Sequence, residues 1–142
     1  MKYLVTGGCG FIGCNLVRFL LANRTGASVR ILDALTYAGS LDNLGAAADD
    51  ERVEFIQGDI RDPEVVRRAI DGCQAVIHLA AESHVDRSIF GAEAAVRTNF
   101  EGTFRVLEAA REVGIERFLH VSTDEVYGAA EGVSFDESAP LL

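Results

Sequence analysis

Thr6-Gly7-Gly8-Cys9-Gly10-Phe11-Ile12-Gly13 decides the fold, because of what stands on either side of it. Before it, Tyr3–Val5 is a short apolar run of the kind a buried strand shows. After it, Phe11 to Leu21 places Ile12, Leu16, Phe19 and Leu20 on one helical face, predicted to turn inward. Gly7, Gly10 and Gly13 thus form G-x-x-G-x-x-G between a strand and a helix. Glycines at this spacing allow a tight turn, a close approach by pyrophosphate and tight helix–strand packing, with the phosphates on the helix N-terminus. A glycine triplet alone is weak evidence, because a purely structural turn accounts for some such matches. The second strand, Val29–Leu32, ends at Asp33, twenty positions after Gly13. A carboxylate there suits the hydroxyls of adenosine ribose and repels a 2′-phosphate, so the two features together predict an NAD site rather than an NADP site.

Further along, strand-like and helix-like runs keep alternating. Val53–Gln57 reads as the third strand, closed by Gly58-Asp59. Asp62-Pro63 is an N-cap with proline at the first helical position, and Val65, Val66, Ala69 and Ile70 form the inward face of that helix. Ala75–Leu79 is the fourth strand. Ala92 to Glu112 is the longest predicted helix, with Val96, Phe100, Thr103, Phe104, Leu107 and Ala110 at helical spacing and Gly114 ending it. Arg117–Val121 is the fifth strand and runs into a polar turn at 122–125. Between 34 and 50 only Leu41–Leu44 suggests a short helix, and the acidic, Ala-rich stretch 45–52 reads as a surface loop. The strands are continuous apolar runs, which predicts a sheet covered on both faces. The fold class is α/β: a doubly wound, Rossmann-like parallel sheet.

The 142 residues suffice for one domain, and 49% of them are apolar, enough for a sizeable core. The formal charge of −9 argues against nucleic acid or an anionic membrane as partner, since both need a basic patch. Phosphate can still be bound through backbone N–H groups. No secretory leader and no apolar run of membrane-spanning length is read from the chain. Cys9, Cys14 and Cys73 are odd in number and lack a C-x-x-C pair, so reduced thiols in a cytoplasmic protein are expected, with no zinc or other metal site. Cys9 and Cys14 read as small packing residues. His78 and His120 read as satisfied core histidines, and His84, Asp86 and Arg87 as a surface charge cluster rather than a metal site.

Four segments carry a resemblance. The glycine loop is similar to the opening of the extended short-chain dehydrogenase/reductases. Asp33-Ala34-Leu35-Thr36-Tyr37-Ala38-Gly39, residues His78 to Ser88 (HLAAESHVDRS) and Ser122-Thr123-Asp124-Glu125-Val126-Tyr127-Gly128 narrow this to the dTDP-glucose 4,6-dehydratase family within the NAD-dependent epimerases and dehydratases. The last segment discriminates most, because related 4-epimerases carry small hydroxylated residues at the positions of Asp124 and Glu125. Cys9, Cys14 and Ser40 depart from the family's usual Ala, Ser and Asn. A larger departure is that no Tyr-x-x-x-Lys occurs: none of Tyr3, Tyr37 and Tyr127 has Lys four positions on. The chain is therefore expected to be an N-terminal fragment, 1–142 forming an incomplete NAD-binding domain without the last strands or the sugar-nucleotide domain.

The resemblance implies roles residue by residue. Gly7, Gly10, Phe11, Ile12 and Gly13 would meet the cofactor at the loop. Asp33 and Thr36 would hold the adenosine ribose, Leu35 would also touch the cofactor, and Asp59 and Ile60 would lie on the adenine side. From spacing alone Asp59 is equally a turn residue. Leu79, Ala80 and Ala81 would line the nicotinamide side, and Thr98 would reach it from the long helix. Ser83 would touch cofactor and sugar, and Thr123 would hydrogen-bond the sugar 4-hydroxyl. Asp124 would be the general acid and Glu125 the general base, removing water across C5 and C6 once a 4-ketone has acidified the C5 proton. By itself, Asp-Glu after a strand is more often a solvated turn. The implied substrate is dTDP-glucose and the full-length assembly a homodimer. An NAD-dependent nucleotide-sugar epimerase is the alternative enzyme, and an NAD-binding sensor without turnover the alternative outside enzymes.

Overall fold

The computed structural model describes residues 1–84, 91–129, 132 and 134–141. Val85, Asp86, Arg87 and Ser88, which belong to two of the sequence readings, lie outside them. Five strands form one sheet: β1 (Lys2–Thr6), β2 (Ser28–Asp33), β3 (Val53–Gln57), β4 (Ala75–His78) and β5 (Arg117–His120). Their order is β3-β2-β1-β4-β5, with every neighbouring pair parallel. The direction of travel reverses between β1 and β4, which is where such sheets open a crevice beyond their C-terminal ends.

Alternation along the strands builds two cores. Leu4 and Leu32 point to one face, where α2 (Pro63–Ile70) and a later helix pack through Val66, Ile70, Val106 and Ala110. Val5 and Ile31 point to the other, against Val17 and Leu20 of α1 (Phe11–Asn23) and Leu44 of the short helical turns at Leu41–Asp49. Each fully buried branched side chain contributes about 1.5–3 kcal/mol, so these central positions dominate the stability. The short helix expected at Leu41–Leu44 forms as 3₁₀ turns, which run on to Asp49 into the stretch read as a loop, interrupted at Gly45, whose φ is 55°.

Local chemistry explains the helix ends. Asp62 accepts hydrogen bonds from the Glu64 and Val65 amides, and Pro63 follows it, as the sequence predicts. At the other end of α2, the Arg30 guanidinium donates to the Ala69 and Asp71 carbonyls at 3.0 and 2.6 Å and pairs with Glu54 at 2.8 Å. Arg30 and Lys2 together hold the Glu54 carboxyl below its usual range.

The predicted long helix is a composite of a single α-turn, α3 (Ala92–Ala95), a π-helical stretch (Val96–Gly102) and α4 (Thr103–Val113). Gly114 ends it in the left-handed region, with the Ile115 amide bonded to the Ala110 carbonyl at 2.9 Å. Among the described residues, no helix is long and apolar enough to cross a membrane.

Two helix faces differ from the sequence reading. In α1 the sheet receives Gly13, Cys14, Val17 and Leu20, while Ile12 and Phe19 are exposed. The glycine loop draws the helix so close that only small side chains fit beneath its first turn: a Cβ on Gly13 would stand 2.1 Å from the Gly7 carbonyl oxygen. In the composite helix the sheet receives Gly102, Val106, Ala109 and Ala110, and the larger stripe of Val96, Phe100, Phe104 and Leu107 faces outward. β5 is also barer than a doubly covered strand should be, with Leu119 56% and Val121 42% exposed.

Candidate functional site: the C-terminal edge of the sheet

β1 delivers the glycine loop. Gly7 takes a φ of 70°, a conformation that L side chains rarely adopt, and lies against the chain leaving β4; a Cβ there would be 2.8 Å from the Ala80 nitrogen. Gly10 is the N-cap of α1 and offers no side-chain acceptor, and the first turn of α1 holds no acidic residue. The first-turn N–H groups, which have no intrahelical partner, therefore point outward without a side-chain cap. Such a terminus, with its partial positive charge, fits the diphosphate of a dinucleotide. Phe11 and Ile12 beside it are 82% and 61% exposed, open to a ligand at this end.

β2 delivers Asp33, buried to 8% exposure. One carboxylate oxygen accepts from the Cys9 amide and the other from the Leu35 amide, both at 2.9 Å. The acid is thereby oriented against the glycine loop, and each oxygen keeps a lone pair for a ligand hydroxyl. Leu35 sits at a φ of 52°, half-buried, and Thr36 is exposed next to it. The other side of the Cys9 peptide is held as well: its carbonyl accepts from the Asn43 side chain at 2.7 Å and the Ser40 amide at 3.2 Å. Asn43 was not among the sequence candidates; nothing in a polar loop residue announces a contact 34 positions back. Burial and the nearby Asp33 charge push the Cys9 thiol up to about 12, consistent with an inert packing role.

β3 delivers Asp59, whose carboxylate is forked to the Arg61 guanidinium at 2.5 Å, a pairing that lowers its pKa. Ile60 turns into the core and is buried as a whole residue, so it does not present the open adenine-side surface that the resemblance implies. β4 ends in Leu79 and Ala80, half-buried, followed by exposed Ala81 and Ser83. Asn99 braces this segment: its side chain accepts from the Glu82 amide at 2.8 Å and donates to the Glu82 carbonyl at 2.9 Å. Asn99 and half-buried Thr98 both lie in the π-helical stretch, a distortion that concentrates at functional sites. Asn99 too escaped the sequence reading, because apolar periodicity says nothing about a polar face.

β5 leads to Thr123, which caps a short 3₁₀ turn at Asp124–Tyr127 by accepting from the Glu125 amide at 3.3 Å, while its hydroxyl donates to Asp124 at 3.1 Å. Asp124 and Glu125 are exposed. His78 is a buried, fully bonded histidine as expected, but His120 is exposed and stacked on it at 5.2 Å, because β5 stands at the sheet's edge. Glycine loop, Asp33, Asp59, Leu79–Ser83 and Thr123–Glu125 thus all follow C-terminal ends of parallel strands and share one edge.

Comparison with known proteins agrees with this geometry. The family model described as GDP-mannose 4,6 dehydratase matches residues 4–142. The low-salt glycan biosynthesis protein Agl12 of Haloferax volcanii is 53% identical over 141 residues, 99% of this chain and 45% of that protein. A dTDP-glucose 4,6-dehydratase of Streptomyces niveus is 46% identical over 145 residues, 99% of this chain and 43% of the relative. Among solved structures, DesIV, the dTDP-glucose 4,6-dehydratase of Streptomyces venezuelae with NAD and TYD bound, superposes with a TM-score of 0.94 at 49% identity, over 100% of this chain and 45% of that one. The chain spans less than half the length of these relatives.

Proposed function

Because the chain belongs to the GDP-mannose 4,6 dehydratase family, we propose that residues 1–142 are the NAD-binding part of a longer nucleotide-sugar 4,6-dehydratase acting on dTDP-glucose. In this reading the remaining strands and the sugar-nucleotide domain lie beyond residue 142. The carrying observation is the shared edge: Asp33 is locked beside an uncapped helix N-terminus, and Thr123-Asp124-Glu125 hangs from the same end of the sheet.

NAD would lie with its diphosphate on the α1 N-terminus and its adenosine ribose on Asp33. When bound it supplies a hydride acceptor for C4 of the sugar and a donor back to C6. The base that takes the 4-hydroxyl proton during that oxidation would come from the rest of the full-length protein, and this chain's residues serve orientation and the elimination. Thr123 orients the 4-hydroxyl. Glu125 takes the C5 proton, and Asp124 protonates the departing 6-hydroxyl. Leu79, Ala80, Ala81 and Thr98 wall the nicotinamide side, and Ser83 reaches toward the sugar. Both carboxylates are exposed here, so their division into acid and base depends on cover from the rest of the enzyme, which unequal burial then converts into separate proton affinities. Pairing of two full-length copies is part of the proposal, with the outward stripe of Val96, Phe100, Phe104 and Leu107 as available surface. Three free cysteines suit a reducing cytoplasm.

Product analysis tests the proposal. The full-length protein given dTDP-glucose and NAD should yield the 4-keto-6-deoxy sugar nucleotide. A 4-epimer as sole product would replace the dehydratase reading with the epimerase one. NAD binding with no product from any nucleotide sugar would leave a sensor.

A further inference from the structure

Between the glycine loop and the acidic turn lies a buried chain of polar side chains that the proposed chemistry does not use: Thr6 on β1, His78 on β4 and Thr103 at the start of α4. The Thr6 hydroxyl oxygen stands 3.2 Å from both the Leu79 and the Ala80 amide nitrogens and 2.6 Å from His78 Nδ1. His78 Nε2 stands 2.9 Å from the Thr103 hydroxyl. All of Thr6 and His78 is buried, so these groups have no water to fall back on.

Counting protons settles their directions. The two amides can only donate: the Ala80 amide gives to the Thr6 hydroxyl oxygen and the Leu79 amide is shared between that oxygen and the Thr6 carbonyl, all at 3.2 Å, so both fall on the lone-pair side of the hydroxyl. Its hydrogen must therefore leave toward His78 Nδ1, which has to be an acceptor. A neutral imidazole then carries its proton on Nε2 and donates it to Thr103. Burial, with His120 alongside, pushes His78 down to about 4, so the ring is neutral at physiological pH. The His78 carbonyl meanwhile accepts from the Val121 amide at 3.0 Å, on the strand that leads to Thr123.

We infer that His78 is a positioning residue: held as the Nε2–H tautomer between two threonine hydroxyls, it locks the Thr6 rotamer that fixes the Leu79–Ala80 backbone against Gly7. That backbone forms one wall of the crevice between β1 and β4, and Gly7 leaves it no slack. Freed from His78, the Thr6 hydroxyl rotates, the Ala80 amide loses its acceptor, the Leu79 amide keeps only the Thr6 carbonyl, and the wall moves. The inference depends on the NAD reading only for what the wall faces.

The test uses the full-length protein, and NAD affinity of the unsubstituted form is measured first, so that a failure of the NAD reading shows there. Histidine ¹⁵N spectra at pH 7 should show His78 with Nε2 protonated and Nδ1 bare. Thr6→Val and His78→Phe, the latter keeping a ring against His120, should speed exchange of the Ala80 amide by roughly tenfold relative to the β4 amides, and that of the Leu79 amide, which keeps the Thr6 carbonyl, by less. Both should weaken NAD by roughly three- to tenfold, whereas Thr6→Ser, which restores the hydroxyl, should stay within about twofold on both readouts. An Nδ1–H tautomer or an imidazolium at pH 7 overturns the inference even if neither variant folds. So does a variant that melts earlier but leaves those two amides and NAD affinity unchanged, since that is the signature of a merely structural histidine.

Discussion

On the β3–β2–β1 flank, the loops at the C-terminal edge are tied to each other: Cys9 of the glycine loop bonds Asp33 through its amide and Ser40 and Asn43 through its carbonyl. On the β5 flank, the Thr123–Tyr127 turn, among the described residues, bonds within itself and leans on one ring, Phe135, stacked on Tyr127 at 5.7 Å. The first flank has a strand on either side of β1 and β2 and helices over both faces. The second ends in a strand with Leu119 and Val121 bare. Groups that recognise a ligand can thus be set by the chain's own local bonds. The groups proposed to move protons are exposed here, and in the proposed function their shielding comes from the rest of the full-length protein.

The sharpest way to break this contrast is at Glu125. In the full-length protein, Glu125→Gln keeps the size and some hydrogen bonding but removes the proposed base. Turnover should fall by roughly two to four orders of magnitude, with C5 exchange in deuterated water falling alongside, as expected for loss of a positioned general base. Turnover within a few-fold of the parent, or exchange at the parent rate, would show that the β5 flank does not hold the proton acceptor.

A second measurement probes the seam between the flanks. His78 lies near 4 in the fold against about 6.5 unfolded, because burial penalises its charge. The unfolded chain therefore binds the extra proton first on acidification. The stabilisation is full above about pH 6.5 and is lost as pH falls toward 4, on the order of 3 kcal/mol. Urea midpoints should drop between pH 6.5 and 5, where few carboxylates titrate, and His78→Phe should flatten that slope. An unchanged slope would mean that His78 is not the neutral buried group described here.

How much of this was legible beforehand follows the same division. The succession of strands and helices along the chain, the Asp62 cap, the Gly114 stop and the position of Asp33 are local or nearest-neighbour effects, and sequence shows them. The faces of α1 and α4 were misread because each helix carries two apolar stripes. Which one meets the sheet depends on how closely the backbone approaches, decided at Gly13 and Gly102 rather than by hydrophobicity. Asn43, Asn99 and the Thr6–His78–Thr103 chain join residues 17 to 72 positions apart and have no periodic signature. The acidic turn was legible only through resemblance, since its residues alone describe a solvated turn and the structure leaves them exposed.

The braced flank makes a smaller prediction. Asp33 is pre-oriented and buried, so a 2′-phosphate would have to approach a fixed negative charge. Calorimetry on the full-length protein should show NAD bound more tightly than NADP by roughly 1–2 kcal/mol, and Asp33→Asn should narrow the gap. Equal affinities would mean that the loop order seen around Cys9 serves folding rather than cofactor choice.

The smallest effects belong to the bare flank, and they concern association more than stability. Phe100, Val96, Phe104 and Leu107 form an outward apolar stripe, and among the described residues Leu119 lies on the edge strand with exposed Val121 just after it. The 1–142 chain on its own should therefore self-associate and melt poorly, through apolar contact and edge pairing. Phe100→Glu and Leu119→Lys remove apolar surface without touching either core, so each should change monomer stability by only about 0.5 kcal/mol. Sedimentation should nonetheless shift clearly toward monomer, Phe100→Glu acting on the helix stripe and Leu119→Lys on the strand edge. If only one substitution acts, that surface alone drives association. A parent chain that is already monomeric and melts cooperatively would show that the β5 flank is complete as it stands, and the contrast between the two flanks would then be one of exposure without consequence for assembly.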